Sequence, residues 1–281
     1  MLEYFGEFGT EVALFLPYVN YLKQNGLLLD KPAVKSYKGM HPYYFFLNDK
    51  EFAEKQQLRA WVHPNSRVSF LPPELLSDDA IFSKMTEKPN YFDPPRLYEH
   101  YKQIKFYTKK PLIVIQNKHN SEWGGPPVNF FDVDLIDSML SRLVDKFSIV
   151  YIRCNEYRGP GYSSDENESM SYHLADKEMI KAKYKDVMLY EDVLEKHNGT
   201  YDFNTLKCIL LANSKVTIST IGGFNFLNAY FPCHHIIYKV DTPPIYNKEY
   251  YQNQHNMLCS NPGTITFTTQ KAYLLSKLAD F

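Results

Sequence analysis

The feature that most constrains this chain is the alternation of short, continuous apolar runs with helical stripes between Pro111 and Leu278. Leu112-Ile113-Val114-Ile115 is apolar at every position, as expected of a parallel strand covered on both faces. Leu135, Ile136, Met139, Leu140, Leu143 and Val144 then recur at three- and four-residue spacing, which marks one face of a helix. The pattern continues with strands expected at Phe147–Ile152, Val187–Tyr190, Lys215–Ser219 and His235–Tyr238. Helices are expected at Phe203–Ala212, Phe224–Phe231 and Gln270–Leu278. Strands alternating with helices imply crossover units and a parallel sheet, hence an α/β fold.

The first part of the chain is less regular. A short strand near Tyr4, a glycine turn from Gly6 to Glu11, and a helix carrying Val12, Leu14, Phe15, Tyr18, Val19 and Leu22 are expected in that order, with Gly26 ending the helix. Ala33–Tyr37, Tyr43–Leu47 and Val68–Leu71 read as strands, and 77–95 as a proline-punctuated loop with one short helix. Lys109-Lys110-Pro111 breaks the pattern, so the expected units are 1–108 and 109–281. A chain of 281 residues is comfortable as two such units and buries on the order of 75% of its unfolded surface.

Charge narrows the function. The net charge is −1, with no clustered positive field of the kind that nucleic acid or an acidic membrane requires. Cys154, Cys208, Cys233 and Cys259 fit neither a metal knuckle nor a disulfide framework, and Cys208 and Cys233 sit in apolar runs. There is no basic leader followed by an apolar stretch and no 18-residue apolar span, so a cytoplasmic location is expected. The Asn167 and Asn198 sequons then have no role. Aromatic residues reach 16%, which suits the stacking of sugar rings, but an AT-rich genome is the better explanation.

The strongest chemical signal is the stretch Val216 to Leu227. A strand ends in Ser219 and Thr220, Gly222 and Gly223 follow, and a helix begins with Phe224 and Asn225. Ligands of open α/β sheets bind at strand carboxyl ends, and glycines let a diphosphate approach the backbone. The alternative is a tight strand–helix turn. Lys118 and Arg153 each follow a strand at the same sheet edge, where a cation can meet phosphate. Tyr190, before Glu191 and Asp192, follows the third strand and could face a base or ribose, or cap a short helix. At the other end, Glu11 follows the loop of Gly6, Gly9 and Thr10. It is a candidate base on a hydroxyl, or a favourable charge in the first helical turn. His41 and His63 are alternative bases. Asp132-Val133-Asp134 matches a metal-binding spacing, but its position before a helical stripe favours capping.

These features resemble GT-B glycosyltransferases, particularly small divergent enzymes of large algal DNA viruses and bacterial surface-polysaccharide clusters. The likeness rests on Gly6-Glu7-Phe8-Gly9-Thr10-Glu11, on Tyr151-Ile152-Arg153 and on the Ser219–Asn225 turn. It implies two Rossmann-like domains with parallel sheets facing across a cleft, the acceptor on the first and the donor nucleotide on the second. It also implies that Gly222 and Gly223 hold a diphosphate with help from Arg153, with no metal and no cofactor beyond the nucleotide sugar. A UDP- or GDP-sugar donor, with xylose or fucose as the sugar, and a glycan acceptor follow from the same likeness; for a viral chain the location is the host cytoplasm. Asn225 and Asn228 stand where many such enzymes carry a ribose-binding Glu. Two readings compete with it: a non-catalytic glycan- or nucleotide-binding protein, and a metal-dependent GT-A enzyme using Asp132 and Asp134.

Overall fold

The computed structural model describes residues 1–55, 92–122, 125–153, 172–197, 199–240, 244 and 246–281. Among these residues there are two sheets, both parallel throughout. The small one has β1 (Leu2–Glu3), β2 (Val34–Tyr37) and β3 (Phe52–Lys55) in sequence order. The large one contains β4 (Leu112–Asn117), β5 (Ser148–Arg153), β6 (Val187–Leu189), β7 (Ser214–Thr220), β8 (His234–Tyr238) and β9 (Ile265–Thr268). Its order is β6-β5-β4-β7-β8-β9. Numbered within the sheet this is 3-2-1-4-5-6, the doubly wound order, with the chain reversing its direction of travel between β4 and β7. All six residues of β4 are buried, which is why the sequence there carries no polar alternation until Gln116.

Successive side chains of a strand point to opposite faces, and the two cores divide accordingly. Ile113, Ile115, Ile149, Tyr151, Val216 and Ile218 pack under α4 (Val133–Leu143), α5 (Asp176–Lys183) and α10 (Lys271–Lys277). Leu112, Val114, Val150 and Ile152 face α6 (Tyr190–Lys196), α7 (Phe203–Asn213) and α8 (Gly223–Asn228). The remaining helix of this half, α9 (Lys248–Leu258), adds Leu258 to the same side.

The small sheet joins that second core directly. One cluster runs from Tyr4, Phe8, Val12 and Phe15 through Tyr43 and Tyr44 to Leu206, Leu210 and Leu227. The helical stretch after the glycine loop comprises α1 (Phe8–Thr10), a π-helical turn (Glu11–Phe15) and α2 (Leu16–Gln24). Tyr230 donates its hydroxyl to the Val12 carbonyl at 2.8 Å, and Tyr43 donates to Asn204 Oδ1 at 2.7 Å. Lys207 lies with its ammonium 4.9–5.7 Å from the rings of Phe8, Tyr43, Phe203 and Phe224, a cation–π contact drawing on both halves. Where the two halves meet along these residues, the contact is packed rather than open.

The sequence-based elements of the large sheet are present, with boundaries shifted by one to three residues. Three elements there were not anticipated, α5, α9 and β9, and α6 begins at Tyr190, earlier than expected. In the first part, Tyr43–Leu47 is not a strand. His41–Tyr44 forms a 3₁₀ turn opened by Pro42, and the third strand is Phe52–Lys55 instead. Tyr43 and Tyr44 are both fully buried, which consecutive residues of a turn can achieve and an edge strand cannot. The expected strand at Val68–Leu71 and the loop from 77 to 91 lie outside the described residues; α3 (Leu97–Tyr101) follows them. No helix among the described residues is long and apolar enough to cross a membrane.

One buried polar cluster makes the large half acid-sensitive. His235 on β8 and His255 on α9 both donate from Nε2 to the Phe231 carbonyl, at 3.0 and 3.1 Å. Burial pushes His235 down to about 4, and burial with the neighbouring His235 pushes His255 down to about 3. The folded form holds both rings neutral while the unfolded chain protonates them near the ordinary 6.5. Stability from this pair is therefore complete above about pH 6.5 and lost as pH falls toward 4. Urea unfolding at pH 7 and pH 4.5 should show a loss on the order of 2–5 kcal/mol, with a shallower pH dependence in His255→Gln.

Candidate nucleotide site at the carboxyl edge of the large sheet

In a doubly wound sheet the crevice for a ligand opens where the strand order reverses, beyond the carboxyl ends of the two central strands. Here those strands are β4 and β7, paired so that Gln116 lies beside Ser219. Beyond β4 comes Lys118, and beyond β7 come Ile221, Gly222 and Gly223. The two strands thus bring a cation and a glycine turn to one place.

The turn is built by short polar contacts. Ser219 donates to Asn225 Oδ1 at 2.8 Å, and Asn225 donates to the Thr220 carbonyl at 2.8 Å. These bonds fold the chain back on itself, and Gly222 takes a φ of 151°, a region that L side chains rarely adopt. A Cβ at Gly222 would stand 3.4 Å from Lys118 Nζ, so the ammonium lies directly over the turn. Lys118 is held there by Glu122 at 3.2 Å, and Glu122 in turn accepts from the Asn129 backbone and side-chain amides at 2.8 and 2.9 Å.

The glycine loop of the small half arrives at the same turn. A Cβ on Gly223 would meet the Gly9 nitrogen at 3.3 Å, and one on Gly9 would meet the Phe226 ring at 3.0 Å. Gly9 and Gly223 therefore pass backbone against backbone. Gly6 has its N–H on the Tyr37 hydroxyl at 3.1 Å, and Thr10 is buried in α1. Phe224 packs against Phe8 with ring centres 6.1 Å apart and contributes to the wall around Lys207.

Three of the expected site residues turn elsewhere. Arg153 is buried and donates to Asp176 Oδ2 at 2.6 Å and to the Tyr172 carbonyl at 3.1 Å. Asp176 also takes the Tyr151 hydroxyl, and burial, together with the neighbouring Asp176 charge, raises that phenol well above the ordinary value. Arg153 thus belongs to a buried, charge-balanced network. Glu11 has no exposed surface; its carboxylate accepts the hydroxyls of Ser36 and Tyr44 inside the small half and does not face a cleft. Tyr190 is a core residue whose hydroxyl donates to the Phe203 carbonyl. That bond directs it from α6 to α7, while Glu191 and Asp192 lie in the first turn of α6, whose N-cap is Leu189.

No protein-family model and no curated protein matches the chain. Among solved structures it is similar to the wall teichoic acid polymerase TagF. One TagF structure, a substituted variant soaked with CDPG, is 10% identical with a TM-score of 0.32, covering 92% of this chain and 50% of that one. Another TagF structure is 8% identical with a TM-score of 0.32, covering 92% of this chain and 51% of that one. The chain spans about half the length of the solved chains it matches. Similarity at this level carries no argument about activity, which rests on the geometry of the site.

His41 differs from Glu11. Its ring stacks on Phe52 at 5.2 Å and its side chain is 40% exposed, but Nε2 is buried, makes no hydrogen bond among the described residues and lies 3.9 Å from Asp49. His63 lies outside the described residues. Asp132 caps α4, accepting from the Leu135 N–H at 2.8 Å, while its other oxygen pairs with Lys271. Asp134 lies in the first turn of the same helix. Sequence reasoning missed Glu122 and Asn129, which fix Lys118. The four-residue spacing of Lys118 and Glu122 was a legible signal, but the role of Asn129 was not. The backbone contact at Gly223 gives a direct test: Gly223→Ala should lower stability by about 1–3 kcal/mol in urea unfolding, because backbone rather than a flexible side chain must move.

Proposed function

We propose that this chain is a glycosyltransferase that takes a nucleoside diphosphate sugar at the β4–β7 crevice and passes the sugar to a glycan hydroxyl. The observation that carries the reading is the ammonium of Lys118 over the Gly222 turn at the reversal point of a 3-2-1-4-5-6 sheet. A diphosphate fits such a place, since the glycine turn admits close approach and the cation offsets charge on the leaving group. Ser219, Thr220, Gly223 and Asn225 shape the turn, and Phe224 closes its flank.

In this reaction the acceptor oxygen bonds to the anomeric carbon while the sugar–phosphate C–O bond breaks. The nucleoside diphosphate departs with the electron pair, and a base takes the hydroxyl proton. His41 is the assigned base on the acceptor side, through Nδ1, because its side chain is 40% exposed although Nε2 is buried, whereas Glu11 is fully buried. Glu11 serves by anchoring the π-helical turn to Ser36 and Tyr44, which holds Gly9 against Gly223. The reaction is assigned as metal-independent, with Lys118 in the charge-neutralising role. Commitment of Asp132 to a helix cap and an ion pair supports this over the metal-dependent alternative. Xylose and fucose, on UDP or GDP, are the donors to try first.

Thermal shift with UDP, GDP, UDP-xylose and GDP-fucose, each with and without EDTA, tests the donor site. At about 100 times its dissociation constant one nucleotide should stabilise the fold by roughly 2.7 kcal/mol, unaffected by EDTA. Lys118→Gln should abolish that shift; the ligand-free transition should fall only modestly, because Glu122 loses its ion pair but keeps both Asn129 amides. Arg153→Ala is the wrong control: stranding Asp176 should cost about 3–5 kcal/mol of stability by itself. With a donor in hand, His41→Asn should lower turnover by about two orders of magnitude with donor affinity unchanged. Binding without turnover in the unaltered protein would replace the transferase with a nucleotide-binding role, and a shift that vanishes in EDTA would restore the metal-dependent reading.

A further inference from the structure

An aromatic group sits next to Lys118 on the β5 side of the crevice and has no role in the assignment so far. His119 follows Lys118 directly, and its ring lies 4.5 Å from Phe130 and 5.9 Å from Tyr172. Tyr172 comes from the segment that leads into α5, and its backbone is tied to the loop after β4 and to the Arg153 side chain at the end of β5. Its N–H donates to the His119 carbonyl at 2.8 Å, and its own carbonyl receives Arg153 Nη2 at 3.1 Å. Ser121 donates to the Tyr172 hydroxyl at 3.3 Å and sets the ring's direction. Despite these ties the tyrosine is 46% exposed, among the most exposed large apolar side chains described. Burial, with Arg153 nearby, lowers the affinity of His119 for a proton, so the group is an uncharged surface. The Arg153 charge beneath it is balanced by Asp176.

The geometry points to this shelf as the seat of the nucleobase, with the exposed face of Tyr172 as the stacking plane. This inference rests on the donor site proposed above and names the part of the donor that the crevice does not hold. A diphosphate over Gly222 leaves its nucleoside to extend along the carboxyl edge. On the β4–β5 side the neighbouring strand is about 4.8 Å away, within reach of a nucleoside. Bases stack on aromatic planes whatever their sequence identity, and an uncharged, rigidly tied ring loses little freedom on binding. Arg153 then acts as a positioning residue: it holds the carbonyl of Tyr172 and so fixes the height of the shelf.

The test compares a ligand with a base and one without. Binding of UDP, GDP and CDP is measured by calorimetry beside inorganic pyrophosphate, in the unaltered protein, Tyr172→Ala, Tyr172→Phe and Lys118→Gln. The expected result is a loss of about tenfold or more in nucleotide affinity for Tyr172→Ala, near-complete retention in Tyr172→Phe, and unchanged pyrophosphate affinity in both. Lys118→Gln should weaken nucleotide and pyrophosphate alike. Unchanged nucleotide affinity in Tyr172→Ala, alongside a loss in Lys118→Gln, overturns the shelf while leaving the diphosphate site standing. A raised KM for the glycan acceptor in Tyr172→Ala, with nucleotide affinity intact, reassigns the shelf to a sugar and likewise overturns it. If the unaltered protein binds none of the four ligands, the donor-site reading itself falls.

Discussion

Gly9 and Gly223 touch backbone to backbone, and the arrangement of the candidate site depends on that contact. Each glycine opens a helix, one in the small half and one in the large. Neither position has room for a side chain: a Cβ on one meets backbone, and on the other an aromatic ring. Because interiors are close-packed, a gap there would separate the loops along with the core behind them. The same approach brings Phe8 beside Phe224 and encloses Lys207 between rings of both halves. Tyr230 on Val12 and Tyr43 on Asn204 then tie the surrounding backbone. The loop carrying Phe8 and Gly9 is thus held against Gly223, while the open side of Gly222 faces Lys118.

Electrostatics sorts the cations at the sheet edge into two kinds. Arg153 is enclosed with Asp176, and both are almost wholly buried. A buried ion pair of this kind is costly to break and has little charge left to offer. Lys118 is paired as well, with the buried Glu122, but the lysine is itself less enclosed than Arg153 and its ammonium stands over the glycine turn. From the chain alone the two looked equivalent, since each follows an apolar strand by one or two residues. The difference lies in Asp176, which is 23 residues from Arg153 and reaches it only because α5 returns over β5.

Much of the fold was legible. Continuous apolar runs at Leu112–Ile115 and Ile149–Ile152 mark central strands because both faces of a parallel sheet are covered. The stripe from Leu135 to Val144 marks α4 for the same local reason, and Asp132 was legible as its cap. Weaker periodicity hid α5 and α9, whose buried faces carry polar groups such as Asp176, Gln254 and His255. The aromatic run at Tyr43–Phe46 misled because strand propensity measures fit to a half-buried pleat, and here tyrosines fill a turn.

The site divides along the same line. Local pattern identified the glycine turn after β7 and the cation after β4, because a strand end, a glycine pair and a charge are properties of neighbouring residues. Strand order was not written in any one segment, and it is the order β5-β4-β7 that places Lys118 over Gly222. Tertiary structure alone turned Glu11 inward to Ser36 and Tyr44, enclosed Tyr190, and set Tyr172 beside His119. Sequence by itself determined the strongly periodic elements, such as β4, β5 and α4, since burial along a segment follows its own periodicity. Which side chains meet was decided only by packing, since those partners lie far apart in the chain and meet through the register and crossing of the elements between them.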